Sequence, residues 1–276
     1  MATINIEKPL VSAEWLNQNL DVSNLVILDA TTAKANDPSS ETITVQIPNA
    51  RYFDIKNQFS DVSNPFPNAV PSEAQFTGEV KKLGIDKENV IVVYDDYGIY
   101  SSARAWWLFK SFGHNNVAVL NGGLPEWVDA NYPVEQKGTY QGKLGNFEAT
   151  FKPNYFRNFK DVQSVINSKN DLIMDARSKE RFVGKVPESR KGLRSGNIPN
   201  SVSLPYKELL KENKLKEKND LISIFNKFDV SGKNMIFSCG SGVTACILTL
   251  AAENVGYKKI SVYDGSWTEY GSLTKE

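Results

Sequence analysis

Residues 234–248 read NMIFSCGSGVTACIL, and this stretch indicates the fold class most directly. An apolar run from Met235 leads into a short turn with two glycines, and a second apolar stretch follows without a further helix breaker. This order is typical of a buried strand that passes through a tight loop into a helix, the unit from which parallel α/β sheets are built. Cys239 is therefore expected at the carboxyl end of the strand, where open α/β sheets bind ligands.

The same order of predicted strands, loops and helices occurs twice in the chain, because four segments of the first half recur in order in the second half. The pairs are LVILDATT (25–32) with LIMDARSK (172–179), IPNARYFDI (47–55) with IPNSVSLPY (198–206), NVIVVYDD (89–96) with NMIFSCGS (234–241), and NGGLPEW (121–127) with DGSWTEY (264–270). The repeat is too long for a solenoid. We therefore predict an α/β protein with two tandem domains, each a mostly parallel sheet flanked by helices.

The boundary between the copies is predicted from composition. Residues 136–146, QKGTYQGKLGN, are polar and rich in glycine, as expected of a linker on the surface. The predicted organisation is a first domain over 8–137, a linker over 138–153 and a second domain over 154–276.

Composition excludes several classes of function. The 276 residues carry 32 basic and 32 acidic side chains, a balance that argues against nucleic acid or a membrane surface as a partner. The amino end, MATINIEKPL, lacks the basic and apolar regions of a secretory signal, and no apolar run approaches the ~20 residues that cross a bilayer. A cytoplasmic location is expected.

The two cysteines have different settings. Cys246 lies within ACILTLAA and is expected in the core of a helix, so a disulfide with Cys239 is not expected. Gly240 and Gly242 allow the loop after Cys239 to curl with its N–H groups inward, in front of a helix that begins at Val243 and Thr244. Such a loop favours negative charge on the cysteine sulfur. The single histidine, His114, follows a predicted helix and is expected to cap it, and no metal or organic cofactor is expected.

CGSGVTA at 239–245, followed by YDGSWTEY at 263–270, resembles the active-site region of the 3-mercaptopyruvate sulfurtransferases. The related thiosulfate sulfurtransferases, the rhodaneses, carry basic residues where this chain has Gly240 and Ser241. The resemblance extends over nearly the whole chain, through LVSAEWL (10–16), YFDI (52–55), SARAWW (102–107) and FGH (112–114). It implies a tandem of rhodanese-like domains in which only the second keeps the cysteine, and the first-half loop YDDYGIYSSAR (94–104) contains none.

A phosphatase of the same fold is an alternative reading of the cysteine loop. Those enzymes need an arginine six residues after the cysteine to grip a phosphate dianion. This chain has Ala245 there, which argues against phosphatase chemistry.

The stretch RSKERFVGKVPESRKGLRSG at 177–196 supplies candidate cations for a substrate carboxylate. From the residues alone, a solvated basic loop on the surface is the preferred interpretation. The resemblance implies that Arg181 and Arg190 bind the carboxyl group of the substrate. Arg177 closely follows Asp175 and is better explained as a structural partner of that carboxylate.

The resemblance also has departures. Animal enzymes of this type carry an aspartate where this chain has Lys56, and a histidine in the region that reads NPFPNAVP (64–71), with Asn68 as the nearest match. These changes argue against a serine–histidine–aspartate relay on Ser241.

The predicted function is transfer of sulfur from 3-mercaptopyruvate through a Cys239 persulfide, with release of pyruvate and a thiol, a thioredoxin-like dithiol or cyanide as acceptor. Cys239 and Ser241 are the predicted catalytic residues, although a serine or threonine near a helix start is also commonly a cap. The predicted substrate-binding residues are Arg181, Arg190, Gly240, Gly242, Val243 and Thr244. The alternatives are a thiosulfate sulfurtransferase and a non-catalytic rhodanese-type binding module.

Overall fold

The computed structural model describes residues 3–33 and 43–275. The chain forms two compact units. The first unit consists of residues up to 61, 70–152 and 212–215, and the second consists of residues 62–69, 153–211 and those from 216 onward. The predicted α/β fold with two mostly parallel sheets is confirmed, whereas the predicted domain limits at 137 and 154 stay predictions.

Short strands alternate with helices along the whole chain. Up to residue 136 the elements are Leu10–Val11 (β1), Ala13–Gln18 (α1), Leu25–Asp29 (β2), Val45–Gln46 (β3), Arg51–Tyr52 (β4), Glu73–Lys82 (α2), Val90–Tyr94 (β5), Ser102–Ser111 (α3), Val117–Leu120 (β6), Gly123–Asp129 (α4) and Glu135–Gln136 (β7). From residue 156 they are Phe156–Arg157 (β8), Phe159–Val165 (α5), Asp171–Asp175 (β9), Lys179–Phe182 (α6), Val202–Ser203 (β10), Leu210–Lys211 (β11), Lys214–Leu215 (β12), Lys218–Phe225 (α7), Asn234–Ser238 (β13), Ala245–Asn254 (α8), Ile260–Tyr263 (β14) and Ser266–Leu273 (α9).

The two main sheets have the same topology. The first sheet has the strand order β4-β2-β5-β6-β1 and the second has the order β10-β9-β13-β14-β8, with every neighbouring pair parallel. The register pairs Asp29 with Tyr94 in one sheet and Asp175 with Ser238 in the other. The duplication seen in the sequence is therefore a duplication of the fold, and the residues that follow Tyr94 and Ser238 correspond.

The central strands are buried because helices cover both faces of each parallel sheet. All five residues of β5 are buried, as are the last four of β13, so no alternation of polar and apolar residues is visible in the sequence of either strand. Separate apolar clusters fill the two units, one around Trp127 and Tyr94 and the other around Trp267 and Tyr263.

Local sequence signals define several helix ends. Asn158 and Asp161 form a reciprocal capping box at the start of α5, and Ser72 caps α2 by accepting from the N–H of Gln75. Helix α3 ends at Ser111, and the left-handed Gly113 (φ 89°) follows its C-cap, Phe112.

Residues 138–152, in the predicted linker, contain no regular element but pack on the first unit. Phe147 is 2% exposed and its N–H donates to the carbonyl oxygen of Ile85. The N–H groups of Thr150 and Lys152 donate to carbonyl oxygens of Phe112 and Ser111. This segment therefore belongs structurally to the first unit.

Two loops follow the central strands of the sheets. Residues 95–100 after β5 are named the aspartate loop, and residues 239–244 after β13 are named the cysteine loop. The two loops have the same backbone turn, since Gly98 and Gly242 are both left-handed (φ 98° and 76°) at the fourth position.

Candidate functional site

Cys239 lies directly after β13, at the carboxyl end of the central strand of the second unit. Its side chain is buried, and both cysteines are free thiols, as predicted. Helix α8 begins at Ala245, after the expected start at Val243 and Thr244. Thr244 occupies the N-cap position but makes no side-chain capping bond, so a purely capping role does not account for it.

Several backbone donors of the cysteine loop are unused. Among the described residues, the N–H groups of Gly240, Ser241, Val243 and Thr244 have no hydrogen-bond acceptor. Unpaired N–H groups in a loop before a helix create a region that attracts an anion. The cysteine loop thus offers four N–H donors that no other group of the described residues uses.

Ser266, at the start of α9, is a residue that the sequence did not reveal. Its hydroxyl oxygen accepts from the N–H groups of Cys239 (3.0 Å) and Gly242 (3.1 Å), and its proton is donated to the carbonyl oxygen of Tyr263 (2.8 Å). The oxygen lies 3.9 Å from the sulfur of Cys239. Ser266 is completely buried in a left-handed conformation (φ 50°), which is strained for a serine. The hydroxyl therefore holds the two ends of the turn around the cysteine.

Arg181 and Arg190 lie over the cysteine loop. A side chain at Gly240 would place its first carbon 3.3 Å from Nη2 of Arg181 and 3.9 Å from Nη1 of Arg190. Arg190 donates to the hydroxyl of Thr268 (3.1 Å), and that hydroxyl donates to the carbonyl oxygen of Gly240 (2.5 Å). The two guanidinium groups that the sequence singled out are therefore brought together above one glycine of the loop.

A buried carboxylate, Glu188, links two of the arginines. It accepts from Nη1 of Arg177 (2.7 Å) and forms an ion pair with Arg181. Arg177 also binds Asp175 through Nε and Nη2, as predicted for a structural pair, and donates to the carbonyl oxygen of Gly196. Burial lowers the pKa of Arg177, but the charges of Asp175 and Glu188 outweigh it and the net shift is upward. The guanidinium of Arg177 therefore stays charged and anchors the pair.

Asn68 reaches the cysteine loop from the segment 62–69 of the second unit. Its amide nitrogen donates to the hydroxyl oxygen of Ser241 (3.0 Å) and to the carbonyl oxygen of Ser241 (3.3 Å). Lys56 belongs to the first unit. At the position where the sequence lacks the histidine, the carboxamide of Asn68 therefore contacts Ser241 directly.

The remaining candidates have ordinary structural contacts. Cys246 is fully buried in α8 and its thiol donates to the carbonyl oxygen of Gly242, as expected of a helix-core residue. Arg194 stacks on Trp267 and donates to Thr274. His114 is 7% exposed in the first unit, where burial lowers its pKa.

Of the site residues that the sequence did not predict, Ser266 has a recognisable signal in the sequence, whereas Glu188 and Thr268 have none. Ser266 stands where the matching segment of the first half has Gly123, which is also left-handed (φ 56°). A serine in place of a left-handed glycine is a signal that the sequence alignment carries. Glu188 and Thr268 have no such signal, because their roles depend on contacts with residues that are distant in the fold.

No group of three or more possible metal ligands occurs in the part of the chain that the structure describes. Within the same residues, none of the helices has the length and apolar character needed to span a membrane.

Fold and site together define a tandem α/β protein in which one of two equivalent loops carries a cysteine. The chain belongs to the rhodanese-like family, since the model of the rhodanese-like domain matches residues 12–130 and 158–273.

Full-length relatives support this membership. The thiosulfate/3-mercaptopyruvate sulfurtransferase 1, mitochondrial, of Arabidopsis thaliana is 36% identical over 98% of this chain and 78% of its own length. The 3-mercaptopyruvate sulfurtransferase of Escherichia coli K12 is 35% identical, over 95% of this chain and 94% of its own. The crystal structure of SseA from Escherichia coli, described among 3-mercaptopyruvate sulfotransferases, superposes with a TM-score of 0.84 at 33% identity and covers 95% of this chain and 99% of that one.

Proposed function

We propose that the chain is a sulfurtransferase that takes sulfur from 3-mercaptopyruvate and carries it as a persulfide on Cys239. The observation that supports this most is the position of Arg181 and Arg190 over Gly240, next to a loop with unused N–H donors. Guanidinium groups bind carboxylates through paired hydrogen bonds. A donor that carries a carboxylate beside its sulfur fits that arrangement.

In the first half-reaction, the thiolate of Cys239 attacks the thiol sulfur of 3-mercaptopyruvate. A sulfur–sulfur bond forms, and the carbon–sulfur bond breaks with its electron pair going to carbon. The resulting enolate of pyruvate takes up the proton that the donor thiol carried, and pyruvate leaves. Arg181 and Arg190 hold the carboxylate and the keto oxygen, where negative charge develops in this step.

The persulfide anion that remains is held by the cysteine loop. The N–H groups of Gly240, Ser241, Val243 and Thr244 supply donors for the outer sulfur, and the left-handed Gly242 allows the loop its tight turn. In the second half-reaction an acceptor nucleophile attacks the outer sulfur and the Cys239 thiolate is regenerated. Covalent catalysis of this kind splits one transfer into two easier displacements, and no cofactor takes part in either.

The test is pyruvate release from 3-mercaptopyruvate by Cys239→Ser, which should fall by about 10³-fold or more because the nucleophile is lost. Mass spectrometry of the wild type after donor treatment should show one added sulfur atom on the peptide that contains Cys239. The matched control is Cys246→Ser, which keeps a hydrogen-bond donor for the carbonyl oxygen of Gly242 and should form the persulfide normally. Pyruvate release that survives in Cys239→Ser would overturn the proposal.

Thiosulfate is the competing donor, since the Arabidopsis thaliana relative is named for both compounds. The neutral residues Gly240 and Ser241 favour 3-mercaptopyruvate, because a dianion such as thiosulfate would be bound better with basic side chains at these positions. The ratio of kcat/KM for the two donors measures the preference, and a ratio in favour of thiosulfate would contradict it. If neither donor adds sulfur to Cys239, the binding-module alternative is supported instead.

A thiol or a thioredoxin-like dithiol is the proposed acceptor in the cell, and cyanide serves in an assay. Neither cysteine is in a disulfide, which suits a reducing compartment. The cytoplasm meets this requirement and remains the proposed location, although one relative is described as mitochondrial. Fractionation of cells that express the tagged chain tests the location.

A further inference from the structure

The contact between Asn68 and Ser241 has a definite chemical direction. The carbonyl oxygen of Ser241 can only accept a hydrogen bond, and the atom of Asn68 that faces it at 3.3 Å is the amide nitrogen. The same nitrogen lies 3.0 Å from the hydroxyl oxygen of Ser241. An amide NH₂ group has protons to donate and no acceptor capacity, so the Ser241 oxygen is the acceptor in this contact.

This direction leaves the proton of the Ser241 hydroxyl for another partner. Within residues 3–33 and 43–275, no hydrogen bond from this hydroxyl to an acceptor is present. Ser241 is half-buried and lies in the cysteine loop, next to the glycine that faces Arg181 and Arg190. Its proton is therefore available at the place where the donor binds.

The backbone of Asn68 is adapted to this contact. Asn68 is left-handed (φ 60°), a conformation that asparagine adopts more readily than most residues. The neighbouring Ala69 is buried at 7% exposure, so the segment is held in place on the second unit.

We propose that Asn68 is a positioning residue that keeps the Ser241 hydroxyl as a hydrogen-bond donor to the bound sulfur donor. The inference rests on the proposed function, because the recipient of the hydrogen bond is the oxygen of 3-mercaptopyruvate on which the enolate charge develops. Asn68 itself neither touches the donor nor takes up a proton. Ser241 supplies a neutral, fixed hydrogen bond to the developing anion.

The segment that carries Asn68 brings no charge of its own to this contact. Residues 62–69 read VSNPFPNA and contain no ionisable side chain. On the side of Gly240, the guanidinium groups of Arg181 and Arg190 lie beside the cysteine loop. A new carboxylate at position 68 is therefore a well-defined perturbation.

The test is Asn68→Asp, which has nearly the same shape and tolerates the same backbone conformation. A carboxylate accepts the Ser241 proton, so the hydroxyl turns away from the donor. The single-turnover rate of pyruvate release should fall about 10²-fold, the loss typical of one hydrogen bond to a developing oxyanion. KM for 3-mercaptopyruvate should change less than kcat, because the hydrogen bond strengthens as charge develops.

Ser241→Ala provides the matched control, alone and combined with Asn68→Asp. If Asn68 acts through the Ser241 hydroxyl, Asn68→Asp should have little further effect in the Ser241→Ala background. An equal loss in both backgrounds would mean that the new charge acts directly on the donor, and it would overturn the inference. An unchanged rate for Asn68→Asp would do the same.

Asn68→Gly keeps the experiment decisive if the aspartate variant does not fold. Glycine allows the left-handed backbone and removes the amide. The Ser241 hydroxyl then loses the hydrogen bond that it accepts, but no carboxylate at position 68 takes its proton. A smaller loss of kcat that disappears in Ser241→Ala supports the inference, and an unchanged kcat contradicts it. If the wild type releases no pyruvate from 3-mercaptopyruvate, the proposed function fails first; a wild type that is active with insensitive Asn68 variants refutes only this inference.

Discussion

The cysteine loop and the aspartate loop lie at the same place in two sheets of equal strand order, and they differ in what fills the turn. Asp95 corresponds to Cys239, and the carbonyl oxygens of these two residues accept equivalent hydrogen bonds, from the N–H groups of Leu124 and Trp267. The carboxylate of Asp95 accepts from the N–H groups of Tyr97 (3.0 Å), Tyr100 (2.8 Å) and Ser102 (2.9 Å) and from the hydroxyl of Ser102 (2.6 Å).

Two of the three corresponding N–H donors are unoccupied in the second unit, and the third, the N–H of Cys246, donates to the carbonyl oxygen of Val243. The N–H groups of Ser241 and Thr244 stand where those of Tyr97 and Tyr100 bind the carboxylate, and they have no acceptor among the described residues. In the first unit, this turn therefore binds an anion that belongs to the chain itself, the carboxylate of Asp95. The second unit has a sulfur atom there instead, which leaves donors for a charge that arrives with the substrate.

The strand-end carboxylates differ as well. Asp29 pairs with Lys137 (2.9 Å), which also binds Asp96 and has about a third of its side chain exposed. Asp175 pairs with Arg177, whose side chain is 1% exposed and which continues to Glu188. Both carboxylates are buried, and the cation that neutralises them is partly exposed in the first unit and buried in the second.

The largest effect is expected from removing that buried network. Arg177→Met should lower the free energy of unfolding by about 4 kcal/mol, because two buried carboxylates lose their cation. Lys137→Met should cost less, about 2 kcal/mol, because Asp29 and Asp96 are also buried but water can reach the partly exposed position of the ammonium group. Urea unfolding of both variants measures the difference. Equal losses would show that the two pairs are not energetically distinct.

A second comparison separates stability from activity at the corresponding loop positions. Asp95→Ala should cost about 3 kcal/mol, because the N–H donors around the carboxylate lose a charged acceptor. Cys239→Ala should cost about 1 kcal/mol, since only the burial of a sulfur atom is lost. The free energy of unfolding checks both variants, with Asp95→Asn as the matched control of intermediate loss. A stability loss for Cys239→Ala as large as that for Asp95→Ala contradicts the idea that the donors of the cysteine loop are unused.

A third comparison exchanges the left-handed residues behind the loops. Ser266→Gly relieves backbone strain but removes the acceptor for two loop N–H groups, so pyruvate release should fall about tenfold with little change in stability. Gly123→Ser in the first unit should lower stability by about 2 kcal/mol, because a side chain there would collide with the carbonyl oxygens of Asp95 and Gly98. Single-turnover kinetics and thermal unfolding measure the two effects. Full activity of Ser266→Gly would show that the Ser266 hydroxyl does not contribute to the reaction.

The smallest expected effect is a change in how the free energy of unfolding depends on pH, and it arises in the first unit. Burial lowers the pKa of His114, so the unfolded chain takes up a proton at a pH where the folded unit does not. The contribution of neutral His114 to the free energy of unfolding is complete above the ordinary histidine pKa. It is lost as the pH falls toward the lowered pKa of His114 in the folded unit. His114→Gln should reduce the slope of unfolding free energy between about pH 7 and about pH 5. An unchanged slope in this variant would assign the pH dependence to other groups.

Much of this organisation was predictable from short stretches of sequence. The apolar runs at Val90 and Met235, followed by glycine-containing turns, predicted the central strands and the two loops. Arg181 and Arg190 were predicted only through the resemblance, since a charged loop by itself also fits solvated surface. Glu188 was not predicted, because nothing in its immediate sequence distinguishes a buried carboxylate between two arginines from an exposed one.

Local sequence was enough to predict the duplication, the parallel sheets and the cysteine at the end of a strand, because hydrophobic runs and turn residues act over a few neighbouring positions. The surroundings of the cysteine depend on the folded structure. Ser266 is 27 residues from Cys239 and Asn68 is 173 residues from Ser241 in the chain. Contacts over such distances depend on how the strands and loops pack, and packing brings together side chains whose chemistry has no local signature.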